Sequence, residues 1–162
     1  MSVVDNRALR AVLAYVAAGA AGYVAAISFA TSANLINLRE IGADIGVGDA
    51  VRTWLFDLAG MLPRFELARY GTVMLIGFAI AFPVAAVIQL GTERAGLVRV
   101  APWLYPLAGA VAVGTGLTIM FYQYYVTAVA GARGHGFWAQ CAAGAIAGWV
   151  FQLVLGRGVS RG

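Results

Sequence analysis

Four long stretches of the chain carry no charged side chain, and they constrain the fold more than any other feature. They cover residues 11–38, 70–92, 100–132 and 136–156. A helix needs about 20 consecutive apolar residues to cross the hydrocarbon core of a bilayer. Strands of membrane barrels alternate apolar and polar residues over about ten positions, whereas these stretches are apolar on every face. The pattern therefore predicts four membrane-spanning helices.

The amino-acid composition agrees with a membrane protein. Of the 162 residues, 62% are hydrophobic and 11% are charged, while a soluble domain is close to half apolar and a quarter charged. This excludes an ordinary soluble enzyme and a disordered chain. We predict an all-α fold in which residues 1–162 form one integral membrane domain, a polytopic four-helix bundle.

Charges, prolines and glycines place the ends of the predicted helices. The four spans are expected at about residues 9–30, 68–90, 102–126 and 137–155. Thr31 and the polar residues after it are expected to mark the end of the first span. Pro102 is favourable at the start of the third, because proline suits the first turn of a helix.

The loop between the first and second spans contains a short amphipathic segment. Asp49 is expected to cap a helix over about residues 50–62, and Pro63 to end it. This helix is too short and too charged to span. Its pattern predicts an interfacial helix lying on the membrane surface, and packing of the same face against the bundle is compatible with that. The apolar face consists of Val51, Trp54, Leu55, Leu58, Met61 and Leu62.

The clearest helical pattern is a stripe on the fourth span. Its residues recur at every fourth position: Gln140, Gly144, Gly148, Gln152 and Gly156. Glycines at this spacing let two helix backbones approach closely, and glutamine can hydrogen-bond across the contact. We expect the stripe to pack against the protein's own helices. The alternative is a docking face for a second copy or for a membrane protein partner.

Most acidic residues fall on the side of the membrane away from the termini. There we expect an outer-face polar cluster that consists of Asp44, Asp49, Arg52, Asp57, Arg133 and His135. Within it, Arg133 is expected to pair with one of the three aspartates. A membrane enzyme that uses these acids with His135 is one alternative function. However, no nucleophile, metal or phosphate motif accompanies them. The sequence therefore favours a protein without catalytic residues, bound metal or cofactor.

The distribution of arginine predicts the orientation. Four crossings place both termini on one side, which carries six arginines in short segments, against five on the other. The positive-inside rule then favours cytoplasmic termini. Because the arginines are scattered singly, they do not indicate a nucleic-acid partner.

The predicted spans contain no ionisable side chain deep in the membrane, which ion-coupled transport usually requires. The strongest polar groups in or near the spans are Gln89, Gln123, Gln140 and Gln152. They could line a path in a small-solute or lipid transporter, which is the second alternative. The favoured interpretation is a non-catalytic accessory or scaffold protein that binds membrane lipid or a membrane protein partner.

Several short phrases resemble a family of small four-helix inner-membrane proteins of proteobacteria. They are DLAGMLP (57–63), IGFAIAFPVAAVI (76–88), YPLAGAVAV (105–113) and AGARGHG (130–136). The resemblance covers roughly residues 35–155. It implies a four-helix fold and an inner-membrane location, and it implies no activity.

Overall fold

The computed structural model describes residues 3–60, 65–96, 100–124 and 135–156. Apart from turns, these ranges form five helices: α1 (Val3–Glu40), α2 (Val47–Gly60), α3 (Phe65–Arg94), α4 (Ala101–Tyr124) and α5 (His135–Gly156). Helices α1, α3, α4 and α5 are long and apolar enough to cross a membrane. The prediction of an all-α, multi-pass membrane protein with a short helix between its first two spans is confirmed.

The four long helices form an up-down-up-down bundle. Helix α5 packs against α1 on one side and against α4 on the other, and α3 packs against α4. Neighbouring helices are antiparallel. Along α1 and α5, Gly22 meets Ala147 and Ala26 meets Gln140; along α3 and α4, Val73 meets Gly116 and Gly77 meets Ala112. Helices α1 and α3 meet only sparsely, and α2 lies outside the bundle against α1.

Small side chains inside and large apolar side chains outside characterise the bundle. Ala14, Ala18 and Ala143 are fully buried, which brings the helices close together. The outer surface instead presents large apolar side chains from each spanning helix, among them Val16, Ile80, Val111 and Trp149. Such a surface is unfavourable in water and is suited to lipid.

The first helix is longer than the sequence pattern predicts. An end near residue 30 is wrong, because α1 continues to Glu40. It ends in a Schellman turn: the Ala43 N–H donates to the Leu38 carbonyl oxygen and the Gly42 N–H to that of Arg39. Gly42 has φ of 90°, a conformation that glycine adopts without strain. The polar residues after position 30 therefore lie on a continuing helix.

Helix α1 also begins earlier than predicted, at Val3 where the pattern predicts about residue 9, whereas the ends of α2 to α5 lie within four residues of their predicted positions. The predicted cap of α2 is wrong, because α2 begins at Val47 and the Ala50 N–H donates to the Gly46 carbonyl oxygen. Gly46 is therefore the residue that precedes the helix. Asp49 lies in the first turn, where its negative charge interacts favourably with the helix dipole.

Candidate functional site

Two glycines of the stripe on α5, Gly144 and Gly148, lie in the contact with α4. A β-carbon added at Gly144 would overlap the Gly109 carbonyl oxygen, and one added at Gly148 would overlap that of Tyr105. The two backbones are therefore in direct contact, as glycines four residues apart permit. These two positions of the stripe are covered by the protein's own helix.

The two glutamines of the stripe have different surroundings. Gln140 is 1% exposed, and its Nε2 donates to the Ala26 carbonyl oxygen at 3.0 Å, which links α5 to α1. Gln152 is partly buried, and its Oε1 has no hydrogen-bond partner in the described part of the chain. Gly156 is exposed at the end of α5. The stripe thus combines an α1 contact, an α4 contact and an exposed end.

Helix α2 is fastened to α1 by three hydrogen bonds, which we call the α1–α2 clasp. Thr31 contributes one of them although it is 1% exposed, so α2 covers a polar position of α1. This side of α1 supplies an acceptor and two donors to the clasp. With the donor first, the bonds join Trp54 Nε1 to Ser28 Oγ (2.9 Å), Thr31 Oγ1 to Asp57 Oδ2 (2.7 Å) and Tyr23 Oη to the Leu58 carbonyl oxygen (3.3 Å).

The apolar face predicted for α2 is divided in the structure. Trp54 and Leu58 are partly buried on the side that meets α1. Val51 and Leu55 are exposed, and Val47 extends the same row at 78% exposure. We call these three the apolar edge of α2. One part of the face therefore packs on the bundle, and the other part is exposed.

The residues predicted to form the outer-face polar cluster differ in their exposure. Asp44, Asp49, Arg52 and His135 are exposed, whereas Asp57 is partly buried and accepts the hydrogen bond from Thr31. No group of three or more His, Cys, Asp or Glu side chains in the described ranges is placed to hold a metal ion. Three residues of the predicted sites lie outside these ranges: Met61, Leu62 and Arg133.

A groove between α1 and α3 is a feature that the sequence pattern does not predict. Its volume is about 480 Å³, and it occupies the half of the bundle that holds the chain termini. It opens sideways, because Val12 and Ala79 on its two edges are exposed. The groove lies between α1 and α3, which contact each other only sparsely, and we call it the α1–α3 groove.

Aromatic rings form the floor of the α1–α3 groove. Phe82 stacks against Phe78 with ring centroids 5.1 Å apart and against Phe151 at 4.4 Å. Tyr105 closes the cluster, 5.1 Å from Phe151. On one wall, Tyr15 Oη donates to the Leu75 carbonyl oxygen at 2.6 Å. One feature of the sequence could have indicated this floor. Phe78, Phe82 and Phe151 lie within the spans, away from the membrane interface where aromatic side chains usually concentrate.

A second groove of about 420 Å³ lies between α4 and α5. Thr115, Thr118 and Cys141 are among its lining residues. The Thr118 hydroxyl donates to the Gly114 carbonyl oxygen of its own helix at 2.8 Å. Neither of these two grooves is lined by a glutamine, so the glutamine-lined path of the transporter alternative does not coincide with them.

Comparison with protein-family models, with curated proteins and with solved structures finds no match to this chain.

Proposed function

We propose that the protein is a non-catalytic accessory protein of the membrane that binds lipid, with an acyl chain in the α1–α3 groove. The observation that carries this proposal is the groove itself. It is an apolar, ring-floored depression that opens sideways from a bundle of four spans. A site for a water-soluble substrate would instead open toward the aqueous phase and carry several polar groups.

The surroundings of the groove favour an acyl chain as its occupant. Burying apolar surface is favourable, and a lining without neighbouring atoms loses packing contacts. Water is a poor occupant, since it needs two to four polar partners. A flexible hydrocarbon chain can enter from the bilayer without a desolvation cost. It would also bridge α1 and α3, which contact each other only sparsely.

The proposed location is a bacterial inner membrane with both termini in the cytoplasm. Support comes from the six arginines on the terminal side of the four spans and from the family resemblance. Helix α2 would then lie at the periplasmic interface with its apolar edge in the lipid. A reporter enzyme that is active only in the cytoplasm, fused after residue 162, is expected to be active. Activity of a periplasm-specific reporter at that position would reverse the orientation.

Lipid occupancy of the groove is tested by filling it with a side chain. Ala79 lines the groove and is exposed, so Ala79→Trp adds a ring without disturbing the buried core. The variant and the wild type would be purified in mild detergent, and lipid that stays bound would be measured by native mass spectrometry. We expect the variant to lose most of the bound lipid, roughly tenfold for each 1.4 kcal/mol of lost binding.

The matched control is Ala142→Trp, because Ala142 is also an exposed alanine of a spanning helix and lines neither groove. It is expected to retain lipid like the wild type. Equal lipid in all three proteins would contradict the proposal. It would mean that the lipid belongs to the general shell around the bundle.

A further inference from the structure

Helix α3 extends past the α1–α3 groove, whose lining on this helix stops at Ala86, and its last turns carry polar side chains. The face of α3 that contributes Phe82 and Ala86 to the groove continues at helical spacing to Gln89 and Glu93. Gln89 Nε2 donates to Glu93 Oε1 at 2.9 Å, which orients the carboxylate. This end lies toward the chain termini, where a headgroup would be found if an acyl chain lay in the groove.

Glu93 creates a local preference for a cation at this end. It lies in the last turn of α3, where the helix dipole is negative and an acidic side chain is unfavourable. The Glu93 carboxylate also interacts electrostatically with Tyr105 in the groove wall. Arg94 follows directly in the same turn. The two side chains point in different directions, because consecutive residues of a helix do not face each other.

We infer that the groove takes a phospholipid whose headgroup carries a primary ammonium, with the ammonium at Glu93 and the acyl chain along Phe82. This inference rests on the proposed lipid-binding function and names the lipid class. An ethanolamine headgroup is a zwitterion whose ammonium donates hydrogen bonds to a carboxylate and whose phosphate suits a guanidinium. The exposed Glu93 carboxylate, held by Gln89, supplies an acceptor for that ammonium.

Other common headgroups fit this end of the groove less well. A choline headgroup has a positive charge but no N–H, so it cannot donate a hydrogen bond to Glu93. A glycerol headgroup carries no positive charge to balance its phosphate, and the negative phosphate is repelled by the Glu93 carboxylate. The order of affinity is therefore ethanolamine, then choline, then glycerol.

The test is competition among lipids that differ only in the headgroup. The full-length protein would be equilibrated in detergent with an equimolar mixture of ethanolamine, N-methylethanolamine, choline and glycerol phospholipids with identical acyl chains. Native mass spectrometry would then measure the lipid bound. We expect the ethanolamine lipid to be enriched roughly two- to fivefold over the choline lipid, since an exposed ion pair is weak. The N-methyl lipid is expected to fall between them.

The variant Glu93→Gln is expected to remove the enrichment while total bound lipid stays the same. Glu93 is exposed, so the change leaves the core intact. Glu40→Gln, at an exposed acid at the end of α1, is the control and is expected to keep the preference. The methylation series on the wild type tests the headgroup without any variant.

The outcomes separate this inference from the proposed function. Lipid that is lost in Ala79→Trp but shows no headgroup preference in the wild type would overturn the inference and leave the lipid-binding function standing. A preference that persists in Glu93→Gln would also overturn it, because the headgroup would be recognised elsewhere. Lipid that Ala79→Trp retains in full would overturn both.

Discussion

Single glycines determine how closely α4 and α5 approach each other. At Gly144 a β-carbon would overlap the Gly109 carbonyl oxygen and lie 2.7 Å from Val113 Cγ2. The nearest obstacle is backbone, so no side-chain rotation can relieve the overlap, and the helices must separate. We expect Gly144→Ala to destabilise the protein by roughly 1–3 kcal/mol, as overpacking does. Thermal unfolding followed by circular dichroism measures the effect.

The control for this substitution is Gly156→Ala on the same helix. No described atom lies within 4 Å of the β-carbon position at Gly156, and alanine has the higher helix propensity. This variant is expected to be neutral or slightly more stable. If both variants unfolded at the wild-type temperature, the close contact between the two helices would not exist.

The two glutamines of the α5 stripe are expected to respond oppositely to replacement by methionine. Gln140→Met removes the bond to Ala26 and is expected to cost about 0.6 kcal/mol, at most about 1.7, the range measured for such bonds in membranes. Gln152→Met removes a buried oxygen that has no partner among the described residues. Because an unpaired buried acceptor is unfavourable, that variant should be as stable as the wild type or more so. Unfolding of both variants in a denaturing detergent series checks the sign, and equal losses would contradict it.

At the scale of elements, the hydrogen bonds of the α1–α2 clasp hold α2 against α1. Replacing Thr31 with valine keeps the shape of the buried side chain and removes the donor to Asp57. Loss of one hydrogen bond to a carboxylate shifts an opening equilibrium by roughly ten- to a hundredfold. We expect faster amide hydrogen exchange over residues 47–60, with exchange in α4 and α5 unchanged.

The matched control for the clasp is Arg52→Ala, since Arg52 is an exposed residue of α2 outside the three bonds. Its exchange is expected to equal that of the wild type. If Thr31→Val left exchange in α2 unchanged, the bond from Thr31 to Asp57 would not contribute to holding α2 on α1.

The differences between predicted and observed elements have a common physical cause. Polarity at Thr31 marks the level at which a helix can leave the hydrocarbon, but it does not break helical hydrogen bonding. The helix ends where backbone geometry changes, at Gly42 with its φ of 90°. Likewise Asp57 belongs to the polar side of α2 by helical period, yet it faces Thr31. Periodicity assigns a side chain to a face of its own helix and does not say which neighbour covers that face.

At the scale of the whole molecule, the sequence predicts the number of spans and the small-residue contacts more directly than the α1–α3 groove. The spacing of Gly144 and Gly148 predicts a close helix contact, although it does not identify α4 as the neighbour. The groove depends on α1 and α3, two helices that make few contacts with each other. Its aromatic floor joins residues of three helices, such as Phe82, Tyr105 and Phe151, and no local pattern encodes that meeting.

The groove makes the stability of the bundle depend on lipid. A ligand that binds only the folded state at 100 times its Kd stabilises by about 2.7 kcal/mol, and each kcal/mol shifts Tm by about 2–4 °C in a chain of this size. Saturating phospholipid is therefore expected to raise the wild-type Tm in detergent by about 5–10 °C. In Ala79→Trp the indole already fills the space between α1 and α3, so the shift should be lost, while Ala142→Trp should retain it. Equal shifts in all three proteins would place the stabilising lipid outside the groove, because Ala79 lines the groove and Ala142 does not.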